Sequence, residues 1–248
     1  MSWFILVPLL NLPTAIADEA PPPPIVNGEH TEDWPAVGQL MMCWGGCDMF
    51  CSGTLVDERW VITAAHCVEA LDEYADYGYK MKFGVGPSLQ DIEDSALIAS
   101  WASHPSYNSY TLKHDIGVIE LESDITAVEP MAVNKDSVSN AWVGESLTYV
   151  GYGVTSDYEN DGGVKRYAEM PLESYDSGLL YSLDTSDGQN VCYGDSGGAA
   201  LEDLGDGNYE LVGVNSYVFG WESNGTACVG GGSGATRVDT HLDFIRDY

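Results

Sequence analysis

Apolar residues occur along this chain in short runs, and few stretches are spaced for a helix. The runs at 60–62 (WVI) and 116–119 (IGVI) are typical of strands, and residues 210–214 (ELVGV) indicate a buried strand bounded by turns. Helical spacing occurs only at residues 72–77 and at the C-terminal residues 240–248. The pattern predicts an all-β protein whose sheets close into barrels or pack as a sandwich.

Chain length and composition agree with this prediction. The 248 residues, of which 44% are hydrophobic, suffice for one large core or two smaller ones. The 28 glycines and 11 prolines suit a protein with many turns between short strands.

The net charge restricts the partners that the chain can have. With 39 acidic and 9 basic residues, the formal charge is −30. Nucleic acids and anionic membranes attract positive surfaces, so neither is an expected partner. We interpret acidic blocks such as 91–94 (DIED) as solvated surface loops, and the overall field would attract cationic substrates.

The first 24 residues have the features of an exported precursor. Residues 3–10 are apolar but too few to span a bilayer, and residues 15–17 (AIA) fit a cleavage site, which predicts a signal peptide at 1–17. The apolar run lacks the usual preceding lysine or arginine, which is expected either of a truncated start or of an atypical signal. The alternative is a buried N-terminal strand, against which the four prolines at 21–24 argue. The expected location is extracellular or periplasmic.

Six cysteines agree with an oxidising compartment. Cys43 and Cys47 are separated by only WGG, which favours a local disulfide. A metal site is the alternative, but two thiols without nearby histidine or further cysteine make a poor zinc site.

Three segments carry the residue types of nucleophilic catalysis. They are 63–67 (TAAHC), which contains His66, 114–118 (HDIGV), which contains Asp115, and 194–198 (GDSGG), which contains Ser196. A serine hydroxyl becomes a nucleophile when an imidazole takes its proton, and a carboxylate orients that imidazole. The glycine-rich segment alone could be a tight turn, but the order His, Asp, Ser indicates a serine endopeptidase.

Further segments strengthen this interpretation. They are 25–28 (IVNG), 51–55 (CSGTL), 104–108 (HPSYN), 151–153 (GYG) and 236–238 (TRV). From Ile25 to the C-terminus the chain resembles the trypsin/chymotrypsin-type serine proteases. The resemblance implies two six-stranded antiparallel β-barrels with a short C-terminal helix and the active site between them. The first barrel should carry His66 and Asp115, and the second should carry Ser196.

The resemblance also implies a role for each site residue. Ser196 attacks the scissile carbonyl, His66 transfers the proton, and Asp115 orients His66. The backbone N–H groups of Gly194 and Ser196 form the oxyanion hole, and the chemistry needs no cofactor or metal.

Several residues outside this triad are assigned by the same resemblance. Cys51 pairs with Cys67, and Cys192 pairs with Cys228. We interpret the remaining histidines as structural or surface residues; in an extended strand, His114 would point away from the side of Asp115. These histidines are His30, His104, His114 and His241. The family's calcium loop is not carried over, because the region 85–93 lacks a matching acidic pair at its start.

Activation in this family depends on a new N-terminus. Cleavage before Ile25 would create an ammonium group that pairs with buried Asp195, which divides the chain into a signal (1–17), a propeptide (18–24) and a protease domain (25–248). The chain has Pro24 where Arg or Lys is usual. Removal of the propeptide is therefore expected from a proline-tolerant protease, from stepwise trimming or from the enzyme itself.

The resemblance places Asn190 at the floor of the specificity pocket, Ser216 and Val218 at its wall, and Ser233 at its back. Without a carboxylate at Asn190, a Lys or Arg side chain of the substrate would lack a charge partner. The expected preference is elastase-like, for small or medium uncharged side chains. The expected partners are protein or peptide substrates and protein inhibitors, and the protein is expected to be a monomer.

Two other classes of protein are alternatives to the prediction of a serine endopeptidase. A catalytically inactive relative that acts as a binding module would usually lack a triad residue, and all three are present. An esterase of the α/β-hydrolase class would have its histidine last in the chain, which is the wrong order here. Residues 224–226 (NGT) form a glycosylation sequon.

Overall fold

Short strands dominate the computed structural model, which describes residues 25–220 and 227–248. The predicted signal peptide (1–17), the predicted propeptide (18–24) and the sequon at Asn224 lie outside the described residues. In the described part of the chain, no helix is both long and apolar enough to cross a membrane.

The described residues form fourteen strands. They are β1 (Glu29–His30), β2 (Val37–Cys43), β3 (Cys47–Asp57), β4 (Trp60–Thr63), β5 (Lys80–Val85), β6 (Asp94–Ser103), β7 (Gly117–Leu121), β8 (Ala132–Val133), β9 (Ser146–Gly151), β10 (Arg166–Tyr175), β11 (Leu179–Ser182), β12 (Ala199–Gly205), β13 (Asn208–Phe219) and β14 (Gly232–Arg237).

These strands close into two antiparallel barrels, which confirms the predicted fold. The first barrel has the order β2-β3-β4-β7-β6-β5. The second has the order β10-β11-β14-β13-β12-β9 and closes because β9 also pairs with β10. Outside the barrels, β1 pairs with β10, and β8 pairs in parallel with β13.

Two α-helices and two 3₁₀ turns complete the fold within the described residues. Helix α1 spans Ala65–Asp76, so it begins earlier than the predicted helical stretch at 72–77. The reason is that Val68 and Leu71 bury an apolar face on this helix, which packs beside β6 and β7. The predicted C-terminal helix is α2 (Leu242–Arg246), and the 3₁₀ turns are Asn140–Trp142 and Asp239–His241.

One cluster of buried apolar side chains fills the first barrel and extends across the interface to residues of the second, such as Val150 and Ala199, and another cluster lies within the second barrel. Tyr152 joins the two halves, because it follows β9 of the second barrel and its hydroxyl reaches the first. The hydroxyl oxygen lies 3.0 Å from the carbonyl oxygen of Val37 and 2.6 Å from that of Gly86. Contacts of this kind hold the barrels together at the cleft where the predicted site lies.

The structure contains three disulfides. Cys51 and Cys67 join β3 to α1, and Cys192 and Cys228 join the loop after β11 to the loop before β14. Cys43 and Cys47 close the hairpin between β2 and β3, so they form the local disulfide and not the alternative metal site.

Candidate active site

Asp115 and His66 are joined by two hydrogen bonds in the cleft between the barrels. Asp115 precedes β7 and is completely buried. Its Oδ1 accepts the backbone N–H of His66 at 2.9 Å, and its Oδ2 lies 2.8 Å from His66 Nδ1. Because a carboxylate only accepts hydrogen bonds, Nδ1 carries the proton and Nε2 is left with a lone pair. The His66 side chain is 28% exposed, so a substrate can reach it.

Ser216 is a third donor to the same carboxylate, and the sequence analysis missed this role. It lies on β13, and its hydroxyl donates to Asp115 Oδ2 at 2.5 Å. The resemblance predicts Ser216 only as part of the wall of the specificity pocket. The two residues are 101 positions apart, so no local pattern could have paired them.

The serine loop packs against the segment that leads into His66. The carbonyl of Ser196 accepts the N–H of Ser52 at 2.8 Å and lies 3.6 Å from Cys67 Sγ, next to His66 in the chain. Gly197 has φ +80°, and a Cβ at this position would overlap the Thr63 hydroxyl. The fold therefore brings Ser196 beside the residues that flank His66.

Several polar groups of the predicted site have no protein partner in the described residues. Within the described residues, the Ser196 hydroxyl and His66 Nε2 have no hydrogen bond, either with each other or with another group. The N–H groups of Gly194 and Ser196 likewise donate to no acceptor in the described part of the chain, whereas those of Asp195 and Gly197 donate to carbonyls at 3.1 and 2.8 Å. Two free N–H groups beside a free hydroxyl can bind an oxyanion.

Asp195 is the second buried carboxylate of the loop. It is completely buried, and its oxygens accept the N–H groups of Gly153 at 2.7 Å and Cys192 at 2.8 Å. Burial raises its pKa from 3.8 to about 7, and nearby Arg166 opposes that rise only in part. No cationic group of the described residues lies within ion-pair distance of it.

Ile25 lies close to the chain segment that leads to Asp195. It is completely buried, and the next residue, Val26, accepts the N–H of Asn190 at 3.1 Å. The φ of Ile25 is +45°, a left-handed conformation that a β-branched residue adopts only under strain.

A cavity of about 290 Å³ opens beside Ser196. Its described lining has no charged side chain and consists of Val191, Cys192, Tyr193, Ser196, Asn215, Ser216, Tyr217, Val218 and Ala227. Ser216 and Val218 of the predicted pocket line it. Asn190 and Ser233 are buried outside this lining: the Asn190 amide donates to the Cys228 carbonyl at 2.9 Å, and Ser233 lies opposite Val218 in the β13–β14 register.

Three other histidines meet near Asp115. His114 Nδ1 lies 3.0 Å from His241 Nε2, and the His104 ring stacks on that of His114. Burial lowers the pKa values of His104 and His241, so both favour the neutral form. His241 stands edge-on to both of the other rings, and one ring nitrogen of each histidine lies within 4.8 Å of the other two, so the three histidines form one compact cluster. The backbone of His114 has φ +55° and precedes β7, so His114 is not the extended strand residue considered from the sequence.

Comparisons with known proteins agree with this geometry. The family model described as Trypsin matches residues 25–245. Brachyurin from Leptuca pugilator is 30% identical over 79% of this chain and 86% of its own length. Trypsin-1 from Salmo salar is 31% identical over 69% of this chain and 71% of its own length.

A solved structure shares both the fold and part of the sequence. It is that of neuropsin, described as a serine protease expressed in the limbic system of mouse brain. The TM-score is 0.72 at 25% identity, and the alignment covers 90% of this chain and 99% of neuropsin.

Proposed function

Because this chain belongs to the trypsin family and is a serine endopeptidase, we propose that it cleaves peptide bonds through Ser196, His66 and Asp115. The observation that carries the assignment is the hydrogen bonding of Asp115, which leaves His66 Nε2 as a base. The free hydroxyl of Ser196, on a loop packed beside the His66 segment, supports the same assignment.

The proposed reaction has two halves. The Ser196 oxygen attacks the scissile carbonyl carbon while its proton passes to His66 Nε2, and the N–H groups of Gly194 and Ser196 bind the resulting oxyanion. The tetrahedral intermediate then breaks its C–N bond, and His66 gives the proton to the departing amine. Water, deprotonated by His66, hydrolyses the acyl-enzyme by the reverse sequence and restores the serine.

The proposed substrate preference is for small or medium uncharged side chains. Two observations support it: the cavity beside Ser196 has an uncharged described lining, and Val218 is part of that lining. The amide of Asn190 donates to the Cys228 carbonyl. An amide is uncharged, so Asn190 cannot serve as the charge partner of a Lys or Arg side chain of the substrate.

The proposed maturation removes residues 1–17 as a signal and 18–24 as a propeptide, and leaves the protease domain at 25–248 in an extracellular or periplasmic space. Three disulfides support export. Among residues 25–220 and 227–248, buried Asp195 has no cation within ion-pair distance, and the left-handed φ of Ile25 stores strain of about 1–3 kcal/mol. Cutting before Ile25 would relieve this strain and supply an ammonium group to Asp195.

Active-site labelling of the mature protein tests the catalytic assignment. A peptide phosphonate should modify Ser196, and Ser196→Ala should abolish both labelling and cleavage of a peptide library. N-terminal sequencing of the labelled protein should begin at Ile25. Full activity in a chain that begins at Asp18 would overturn the maturation scheme alone, whereas absence of labelling and cleavage in the correctly cut protein would support the inactive relative.

A further inference from the structure

Ser52 lies on β3 of the first barrel, outside the triad, and is completely buried at the cleft. Its neighbour Cys51 is bonded to Cys67, which follows His66. Ser52 therefore belongs to the rigid part of the first barrel that also holds His66. Its segment, 51–55, is part of the resemblance to the protease family, which implies no role for Ser52 itself.

Ser52 contacts the serine loop at two carbonyls. Its backbone N–H donates to the Ser196 carbonyl at 2.8 Å, and its hydroxyl donates to the Gly194 carbonyl at 2.9 Å. These are the two residues whose own N–H groups have no acceptor in the described part of the chain. Ser52 thus binds the carbonyl groups of both residues whose N–H groups are the proposed oxyanion donors.

The direction of the Ser52 hydroxyl is determined by its other partner. Its oxygen accepts the N–H of Tyr152 at 3.0 Å, so the hydroxyl proton is available to the Gly194 carbonyl. The next N–H along the chain, that of Gly153, binds Asp195. Adjacent peptide groups therefore hold the hydroxyl on one side and the buried carboxylate on the other.

Gly194 needs such a restraint more than its neighbours do. Its φ is +94°, and it has no side chain to limit rotation of its peptide groups. Asp195 is held by two N–H groups and Gly197 by close packing against Thr63. Among the described residues, the Ser52 hydroxyl is the one side-chain group that binds the Gly194 backbone.

We propose that Ser52 is a positioning residue. Its hydroxyl fixes the Gly194–Asp195 peptide and so limits rotation about Gly194, which keeps the N–H of Gly194, in the preceding peptide, oriented toward the oxyanion hole before substrate binds. The inference rests on the proposed function, because it assumes that the N–H groups of Gly194 and Ser196 bind the oxyanion. A donor that is misoriented stabilises the transition state less and the bound substrate almost as well. Loss of the hydroxyl should therefore lower kcat and leave KM unchanged.

The test compares Ser52→Ala with Thr54→Val in the mature enzyme. Thr54 is a matched control, because it lies two residues further along β3, is buried, and has a hydroxyl without a partner in the described residues. We expect Ser52→Ala to lower kcat about tenfold with KM within about twofold, and Thr54→Val to leave both unchanged.

A peptide boronic acid gives a second readout, because its tetrahedral adduct with Ser196 places an oxygen in the oxyanion hole. Its affinity should fall about tenfold in Ser52→Ala and remain unchanged in Thr54→Val. Ser52→Cys, which keeps a weak donor in nearly the same volume, should lose less of both quantities. If Ser52→Ala does not fold, the kcat and the boronate affinity of Ser52→Cys, each compared with wild type, test the proposal.

The outcomes separate this proposal from the catalytic assignment. An active, Ser196-labelled wild type whose Ser52→Ala and Ser52→Cys variants match Thr54→Val in kcat and boronate affinity would overturn the role of Ser52 alone. A change in KM with kcat preserved would also overturn it. A wild type that neither cleaves nor labels would instead contradict the proposed function.

Discussion

The regions around the two buried aspartates of the cleft differ in the donors and cations that they supply to each carboxylate. Asp115 and Asp195 are both completely buried. Asp115 accepts hydrogen bonds from an imidazole, a hydroxyl and a backbone N–H, whereas among the described residues Asp195 accepts only from two backbone N–H groups. Burial raises the pKa of Asp195 to about 7.

This difference shows that burial alone does not determine what a carboxylate does. Around Asp115, the uncut chain already supplies the donors that stabilise a charge and orient His66. Around Asp195, the described residues supply no cation within ion-pair distance. In our proposal the His66 side of the cleft is complete before processing, and the serine side becomes complete when an ammonium group joins Asp195.

The largest effect is expected from Asp115→Asn in the mature enzyme. An amide NH₂ would face His66 Nδ1 and favour the wrong tautomer, so Nε2 could no longer accept the serine proton. We expect kcat to fall about 10⁴-fold, the loss known for this substitution in a serine protease with the same triad. Peptide cleavage is measured against Asp206→Asn, an exposed turn residue that should not change kcat. A loss below tenfold would contradict the role of Asp115.

The next largest effect is expected from Asp195→Asn. The Ile25 ammonium would lose its charge partner and the loop would lose its anchor, so kcat should fall about 10²–10³-fold, the range for loss of an oxyanion donor. The uncut chain should show little further loss, because its Asp195 has no ammonium partner to lose. If Asp195→Asn lowered kcat by the same factor in the cut and uncut forms, Asp195 would not depend on the new ammonium group, and the proposed difference between Asp195 and Asp115 would be wrong.

A smaller effect is expected in the pH dependence of stability. In the folded, uncut chain the pKa of Asp195 is raised from 3.8 to about 7, so the folded state keeps a proton that the unfolded chain releases between these values. The free energy of unfolding should therefore fall as pH rises from about 4 to about 7, by on the order of 1 kcal/mol per pH unit from this group.

Urea unfolding at several pH values measures this slope, with Ser196→Ala present so that the chain cannot cut itself. The difference in stability between a chain that begins at Ile25 and the uncut chain should grow over the same pH range. Adding Asp195→Asn should remove that growth. A constant difference from pH 4 to 7 would show that Asp195 keeps no proton in the uncut fold.

The smallest effect is expected from Ser216→Ala. Asp115 would lose one of three donors, and the two from His66 would remain. We expect kcat to fall about three- to tenfold, because one hydrogen bond contributes about 0.5–1.5 kcal/mol net. Because Ser216 also lines the cavity, KM is measured with substrates of different side-chain size. A change in KM alone would assign Ser216 to the pocket and not to Asp115.

Much of the fold was predictable because strand runs have a local signature. Residues 60–62 belong to β4, residues 117–119 of the run 116–119 belong to β7, and residues 210–214 lie within β13. Helix α1 was predicted too short. Its first turns are stabilised by burial of Val68 against the neighbouring strands, and this contact is not visible in the chain.

The sequence by itself determined the family of this protein, because residue types and their order are typical of it, and they also predict the histidine, the aspartate, the serine and the glycines at which the backbone must turn. Only the tertiary structure decided which residues from distant parts of the chain lie beside these groups. The hydrogen bond from Ser216 to Asp115 spans 101 positions, and that from Ser52 to Gly194 spans 142. The physical reason is that a hydrogen bond depends on distances of about 3 Å, and barrel closure sets those distances between residues that lie far apart in the chain.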